Sequence, residues 1–431
     1  HTASLGKGWG CLHETQDQRA MTAPITAFSA VALQGDDLPE LIARAWAVFD
    51  SERSRPVHIS VPLDVLAASV SRDWSDEVVR RPGRGQPCRE TLEQAALKLA
   101  AAQRPMIIAG GGALHAAEQL QQLSTRLAAP LFTSVAGKGV LPPDAPLNAG
   151  ASLCVEPGWQ LISQADVVLA VGTEMADTDF WRERLPITGE LLRVDIDPRK
   201  FNDFYPCAIA LQGDARQTVD GLLEHLPALD RDPAQASEAV SNLRQAIRHG
   251  HAPLQATHQA ILDRIAAVLP DDAFISSDMT QLAYTGNYAF ASRAPRSWLH
   301  PTGYGTLGYG LPAGIGGMLA TDHRPGLVLV GDGGFLYTAQ ELATAVEELD
   351  RPLVVLLWNN DALGQIRDDM LGLNIEPVGV LPRNPDFIGL ARAFGCAVRQ
   401  PRDLDALQAD LASGFATPGV TFIELKHTCV C

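Results

Sequence analysis

The chain has 431 residues, and at roughly 150 residues per domain that length predicts about three domains. Hydrophobic residues make up 46% and charged residues 19%, a balance that excludes disorder as the main state. Lys and Arg number 34 against 50 Asp and Glu, so the net charge is −16, which disfavours nucleic acid or an anionic membrane as the main partner.

Residues 1–75 open with Gly6, Gly8 and Gly10, then carry an amphipathic stretch over 38–49 and a β-like run over 57–61 that Pro62 stops. One helix and one strand make no domain, so this block reads as the tail of something larger. A polar, Arg- and Pro-containing connector follows over 71–87.

The second block, 90–225, alternates strands and helices. A helix over 91–102 leads to a strand over 105–109 and the turn Gly110-Gly111-Gly112. A helix over 117–127 leads to a strand over 130–133, and further strand-length apolar runs span 165–171 and 191–196. Such alternation implies a parallel sheet covered on both faces. Residues 230–251 are polar and predicted helical, as suits a linker.

The third block, 255–431, repeats the pattern with strands predicted over 273–276, 327–330, 353–358 and 420–424. The fold class is therefore α/β, with consecutive three-layer domains built on mainly parallel sheets. The seven scattered cysteines form no disulfide or zinc pattern and read as free thiols of a reducing cytoplasm. The longest apolar runs, such as 352–358, fall well short of the roughly 20 residues needed to cross a bilayer. No signal peptide is visible, although the chain begins at His1 rather than Met.

The third block holds the informative segment: Gly331-Asp332-Gly333-Gly334, then Asn359-Asn360, each pair ending an apolar strand. The helix between them is predicted to start at a capping box, Thr338-x-x-Glu341, with Leu342, Ala345 and Leu349 on its buried face. One crossover unit of this kind places Asp332 and Asn360 at the carboxyl ends of parallel strands, where ligands of open α/β sheets bind. A carboxylate and a carboxamide are hard oxygen donors suited to Mg²⁺ and its phosphate partners. Gly333 and Gly334 let backbone approach a diphosphate. Either pair alone reads as an ordinary turn; both together, bracketing a helix, favour the site.

Upstream, Gly303-Tyr304-Gly305-Thr306-Leu307-Gly308 spells Gly-x-Gly-x-x-Gly. As a dinucleotide fingerprint it is weak, because 296–301 is polar and proline-broken and no strand is predicted before it. The other reading is a loop that packs a flat heterocycle, with Leu307 as apolar support.

These segments together resemble the signature of thiamine diphosphate enzymes, in the group of acetolactate synthase, pyruvate oxidase and the 2-oxo acid decarboxylases. The resemblance spans nearly the whole chain. It implies that 1–75 is the C-terminal part of a pyrimidine-binding domain whose N-terminal part is absent, 90–225 a Rossmann-like central domain, and 255–431 the domain that binds diphosphate and metal. Leu5-Gly6-Lys7-Gly8, His13-Glu14-Thr15-Gln16-Asp17-Gln18 and Trp358-Asn359-Asn360-Asp361-Ala362-Leu363-Gly364 resemble the 2-ketoarginine (5-guanidino-2-oxopentanoate) decarboxylase branch.

Carried over by residue, the resemblance implies thiamine diphosphate and Mg²⁺ as cofactors, with Asp332, Asn360 and the Ala362 carbonyl as metal ligands. Asn359 braces the turn. Gly305 meets the aminopyrimidine, with Thr306 beside it, and Leu307 wedges the cofactor bent. Gly333, Gly334 and Leu363 line its site. Thr280 and Gln281 touch the diphosphate or merely start a helix. The family's activating glutamate falls upstream of His1, since Glu14 belongs to a later loop, so the chain by itself is expected to be an inactive fragment. The implied reaction releases CO₂ from a 2-oxo acid and then an aldehyde; for 2-ketoarginine the aldehyde is 4-guanidinobutanal.

His13 and His300 are candidates to relay the proton, against the ordinary alternative of a structural histidine. A guanidinium substrate needs a carboxylate, and Glu14, Asp361, Asp368 and Asp369 lie in suitable segments. The central block resembles regions that hold FAD in some relatives but lacks an arginine in 172–177, so an empty domain is expected. Two rivals stand: an acetolactate synthase-type carboligase, and an NAD-binding dehydrogenase or non-catalytic nucleotide-binding module built on 303–308. The family habit of placing the cofactor between subunits implies a homodimer or homotetramer.

Overall fold

A computed structural model describes residues 1–71, 73–74, 83–321 and 324–430. Much of the expected connector over 71–87, residues 72 and 75–82, lies outside the described residues. Three parallel sheets follow one another along the chain.

The first is small: β1 (Phe28–Val31) pairs in parallel with β2 (Val57–Ser60), and the helix Leu38–Ser51 crosses between them. The amphipathic stretch and the β-like run are both present, but β1 is an additional strand. Among the described residues its core is Phe28, Ala45 and Val48 with Ala30, Leu41, Val57 and Ile59 packed against them, and Met21, Ile25, Leu33, Leu63 and Leu66 stay exposed.

The second sheet contains β3 (Pro105–Ala109), β4 (Leu131–Thr133), β5 (Asn148–Gly150), β6 (Val167–Val171), β7 (Glu190–Asp195) and β8 (Ile209–Gln212), in the order β5-β4-β3-β6-β7-β8. Numbered within the sheet this is 3-2-1-4-5-6, the doubly wound Rossmann order, with its switch point between β3 and β6. Alternate residues serve opposite faces, as a period of two demands. Ile107, Ala109, Leu169 and Val171 join one buried cluster, and Met106, Ile108, Val168 and Ala170 the other.

The third sheet contains β9 (Phe274–Ser277), β10 (Trp298–Leu299), β11 (Gly326–Gly331), β12 (Leu353–Asn359), β13 (Ala397–Arg399) and β14 (Val420–Lys426), in the order β10-β9-β11-β12-β14-β13. Every residue of β11 and β12 is buried, which is why both read as unbroken apolar runs. Leu327 and Leu329 pack under the helices Pro253–Val268 and Leu404–Ala416, while Val328 and Val330 pack under Gly310–Ala320 and Glu341–Glu348. Each fully buried leucine contributes roughly 2 kcal/mol. The direction reverses between β9 and β11, opening a crevice at their carboxyl ends.

Two expectations fail locally. A strand, the two-residue β10, does precede the Gly-x-Gly-x-x-Gly segment, because Trp298 and Leu299 complete the sheet edge beside β9 despite the polar flanks. The capping box does not form: the helix starts at Glu341 with no side-chain cap, and the Thr338 hydroxyl instead donates to the Gly308 carbonyl at 3.1 Å.

The linker helix Ala234–His249 is fastened to the second sheet by Arg244, whose guanidinium donates to the Pro143, Ala145 and Asn148 carbonyls. The second and third sheets are joined through Lys138, which is buried and donates to the carbonyls of Gly286 (2.8 Å), Asn287 (2.8 Å) and Phe290 (2.6 Å) at the end of the helix Gln281–Ala289. Burial pushes its amine down toward about 7, whereas three acceptors, one per ammonium hydrogen, and the Trp298 ring at 4.4 Å favour the charged form. Among the described residues the cysteines are free, and no helix is long and apolar enough to cross a membrane.

Candidate active site

β11 and β12 pair with Gly331 opposite Trp358, so Asp332 and Asn360 leave from neighbouring strand ends. Asp332 is 3% exposed and opens the short turn of helix Asp332–Phe335. Its Oδ1 accepts from the Gly333 N–H at 3.0 Å and its Oδ2 from Asn384 Nδ2 at 2.8 Å. Burial pushes the Asp332 carboxyl up, against the pull of Asn384 and the Gly333 and Ala362 N–H groups.

The two asparagines diverge. Asn359 is buried and donates to Glu424 Oε1 at 2.7 Å, while its own oxygen accepts from the Asp361 N–H at 3.0 Å, which ties the end of β12 to β14. Asn360 donates to Gln281 Oε1 at 3.2 Å, and Gln281 Nε2 donates to Asp368 at 2.9 Å. Asp361 takes a left-handed conformation (φ 53°), which reverses the chain toward Ala362.

An open cleft of 220 Å³ lies at these strand ends. It brings together Thr280, Gln281, Gly305, Leu307, Asp332, Gly333, Gly334, Asn360, Ala362 and Leu363. Thr306 does not line it; its hydroxyl is spent on the Leu307 carbonyl. A Cβ on Gly333 would sit 2.6 Å from Leu363 Cδ2 and one on Gly331 3.0 Å from Thr280 Oγ1, so the walls are bare backbone in close quarters. The oxygen donors and glycine walls suit a divalent cation with a diphosphate.

The other candidates lie outside this lining. His300 is largely buried, with Nδ1 2.9 Å from Ser277 Oγ and its ring edge-on to Tyr284, a cleft residue. Burial pushes its imidazole down to about 4. His13 sits exposed on a loop at φ 63°. In the same loop Glu14 is held below the usual carboxylate range: desolvation opposes this, but N–H groups from Cys11, Gly10 and Trp9 outweigh it. Asp368 is committed to Gln281 and Arg367, whereas Asp369 is exposed, with its Oδ1 accepting from Gln365 Nε2 at 2.9 Å.

Sequence reasoning missed Asn384 and Asp278. The Asn384 amide nitrogen meets Asp332, Asn359 and Asp361 oxygens at 2.8, 3.1 and 3.2 Å. It stands 52 residues from Asp332, and no local pattern announces such a link. Asp278 had a legible signal, a carboxylate directly after a strand.

The larger cavity, 520 Å³, lies instead at the β3/β6 switch point of the second sheet. There Gly110 and Gly112 press against Gly172, so the glycines are needed for turn-on-turn packing. Arg53 fills part of the crevice, paired with Asp195 at 2.6 Å and Glu174 at 3.1 Å.

Residues 92–222 match the family described as thiamine pyrophosphate enzyme, central domain, and residues 278–425 match its C-terminal TPP binding domain. The chain is 79% identical over 429 residues to a probable 2-ketoarginine decarboxylase of Pseudomonas aeruginosa, covering 100% of this chain and 77% of that protein. It is 28% identical over 422 residues to the acetolactate synthase isozyme 1 large subunit of Escherichia coli, covering 95% and 74%. It is 29% identical over 405 residues to a probable acetolactate synthase large subunit of Methanocaldococcus jannaschii, covering 88% and 68%.

Proposed function

The chain belongs to the thiamine pyrophosphate enzymes, and we propose that within them it serves the non-oxidative decarboxylation of 5-guanidino-2-oxopentanoate to 4-guanidinobutanal and CO₂. The observation that carries this reading is the cleft at the ends of β11 and β12, where Asp332, Asn360 and bare glycine backbone converge, in a chain 79% identical to a relative bearing that activity in its name.

In this reading Asp332, Asn360 and the Ala362 carbonyl hold Mg²⁺, and the Gly333 and Gly334 backbone with Thr280, Gln281 and Leu363 receives the diphosphate. Gly305 offers its carbonyl to the aminopyrimidine, Thr306 orders the loop, and Leu307 supports the ring. When bound, the cofactor supplies a nucleophilic carbon and an electron sink for the pair left behind by CO₂. Asn360 has its nitrogen committed to Gln281, which leaves its oxygen for a cation. With its pKa near 4, His300 is a neutral imidazole at neutral pH, fit to orient a substrate oxygen through N–H rather than to deliver a proton as imidazolium. His13, on its exposed loop, is the relay candidate.

Asp369 best fits the guanidinium among the four acids, because it is exposed on the helix Gly364–Gly372 bordering the cleft, while Glu14 is held by backbone N–H groups, Asp361 by Asn384 and Asp368 by Gln281 and Arg367. A guanidinium gains most from a carboxylate that can take both N–H bonds, which on Asp369 requires displacing only the neutral Gln365 amide.

Residues 1–75, 90–225 and 255–431 correspond to pyrimidine-binding, central and diphosphate-binding regions in this proposal, the central one without flavin. A homodimer or homotetramer in the cytoplasm is the proposed assembly. It is supported by the exposed Leu371, Leu373, Val378 and Leu381 on and just after the helix Gly364–Gly372 that borders the cleft.

The test is product analysis on the full-length gene product with thiamine diphosphate and Mg²⁺. Release of CO₂ and 4-guanidinobutanal from 5-guanidino-2-oxopentanoate is expected. An acetohydroxy acid from pyruvate as the main product makes it a carboligase, and cofactor dependence on NAD rejects the assignment.

A further inference from the structure

The loop 303–310 supplies both Gly305 and Leu307 to the cleft, yet it is glycine-rich and has little side-chain packing of its own. Beside the Thr338 hydroxyl on the Gly308 carbonyl, its main anchor lies at the end of β9. Asp278 follows β9, is 0% exposed, and continues the ladder through its own N–H to the Leu329 carbonyl at 2.8 Å. Its Oδ2 accepts from the N–H groups of Gly308 (2.9 Å) and Gly310 (3.2 Å), and its Oδ1 from the N–H of Met279 (2.8 Å). Ser276, two residues earlier, donates its hydroxyl to the Gly310 carbonyl at 2.8 Å. The end of β9 thus grips Gly310 at both its donor and its acceptor.

Three features show that the carboxylate is suited to this loop. Gly308 sits at φ 82°, a left-handed conformation that glycine adopts without strain and in which its N–H reaches the carboxylate. Gly310 opens the helix Gly310–Ala320, so its N–H has no partner within the helix. A Cβ on Gly334 would come within 3.2 Å of Asp278 Cγ and 3.4 Å of Leu307 Cδ2, so bare backbone at Gly334 is what lets the carboxylate and the leucine sit together beside the cleft. An amide cannot replace the carboxylate fully, because one of its two heavy atoms donates where both carboxylate oxygens accept.

We infer that Asp278 is a positioning residue that holds the loop 303–310, and through it Gly305 and Leu307, in the shape that receives the cofactor. The inference rests on the reading of this cleft as the thiamine diphosphate site.

Two measurements test it. In the cofactor-free wild-type protein, amide hydrogen exchange at Gly308 and Gly310 is protected relative to Gly303; in Asp278→Ala it accelerates while exchange in β11 and β12 is unchanged. By calorimetric titration with thiamine diphosphate and Mg²⁺, Asp278→Ala weakens cofactor binding by roughly tenfold or more, as loss of a charged acceptor predicts, and Asp278→Asn by about threefold. If Asp278→Ala does not fold, the Asn variant and the wild-type exchange pattern decide. Equal cofactor affinity in wild type and variant, or Gly308 and Gly310 amides as labile as that of Gly303, overturns the inference. A wild-type protein that takes up no cofactor overturns the cofactor reading and this inference with it, whereas normal wild-type binding with an unaffected variant overturns this inference alone.

Discussion

Asn360 donates its amide to Gln281 Oε1 across 3.2 Å, joining the end of β12 to the helix that follows β9. Since β9 and β12 flank β11, this bond spans the mouth of the crevice above Asp332. It also sorts the atoms of Asn360: the nitrogen is engaged by Gln281, and the oxygen is the atom left to accept.

Breaking that bond frees the Asn360 amide to rotate, and in the proposed site it should weaken Mg²⁺ binding. Gln281→Leu is expected to raise the Mg²⁺ concentration needed for half of the cofactor-dependent rise in melting temperature by about tenfold, the scale of one misplaced ligand-orienting contact. Gly364→Ala reaches the same result from another side, because its Cβ would sit 2.6 Å from both Asn360 Nδ2 and Gln281 Oε1. Thermal melts across a Mg²⁺ series at fixed thiamine diphosphate read both variants; curves that superimpose on wild type exclude the bond's role.

Asp368 and Asp369 are adjacent in sequence but opposite in circumstance. Asp368 already receives Gln281 and the Arg367 guanidinium, so a second guanidinium has no place on it. Asp369→Asn is predicted to lower kcat/KM for 5-guanidino-2-oxopentanoate by about tenfold or more while leaving pyruvate unchanged. Asp368→Asn should instead act on both substrates alike, through Gln281 and the metal. Steady-state kinetics with the two acids separates the cases, and a uniform loss in Asp369→Asn removes it as the guanidinium partner.

What was legible in the sequence is what depends on neighbours along the chain. β11 and β12 are buried on both faces, so their apolar runs gave both their positions and the strand ends that carry Asp332 and Asn360. Thr338 shows where local pattern fails: its hydroxyl found the Gly308 carbonyl thirty residues away, and the tertiary partner displaced the cap. β1 escaped because Phe28, Ser29, Ala30 and Val31 alternate too little to stand out without β2 beside them. Asn384 carries no local signal, Asp278 only that of a carboxylate after a strand, and Lys138 none. Their partners lie 52, 30 and about 150 residues away, so only the fold brings them together.

Acid weakens the fold through buried imidazoles. Burial lowers His258 and His300 to about 4 from 6.5, so each remains neutral in the folded chain while the unfolded chain takes up a proton. The stability each contributes is full above about pH 6.5 and is lost as pH falls toward 4, roughly 3 kcal/mol per histidine. Asp179, raised by burial to about 6 from 3.8, works in the opposite direction below pH 6 and offsets about one histidine. The histidines drive a fall in stability between pH 6.5 and 4, which His258→Phe should lessen by one histidine's share. Denaturant midpoints measured across that range check it; an unchanged slope in the variant assigns the acid sensitivity elsewhere.

The glycines divide the cofactor readings. In a dinucleotide fingerprint the first glycine permits the tight turn, so replacing it is costly. Here a Cβ on Gly303 meets nothing within 4 Å, and its backbone is not in the left-handed region. A Cβ on Gly333 would stand 2.6 Å from Leu363 Cδ2 and displace that side chain within the cleft proposed to receive the diphosphate. Gly303→Ala is therefore expected to keep thiamine diphosphate binding within about twofold of wild type, as an open surface site should. Gly333→Ala should weaken that binding by roughly tenfold or more, with little change in the cofactor-free melting temperature, because Leu363 moves into the cleft rather than into the core. Titration of the two variants decides between the readings: loss of binding in Gly303→Ala with retention in Gly333→Ala would place the ligand on the loop alone and return the dinucleotide alternative.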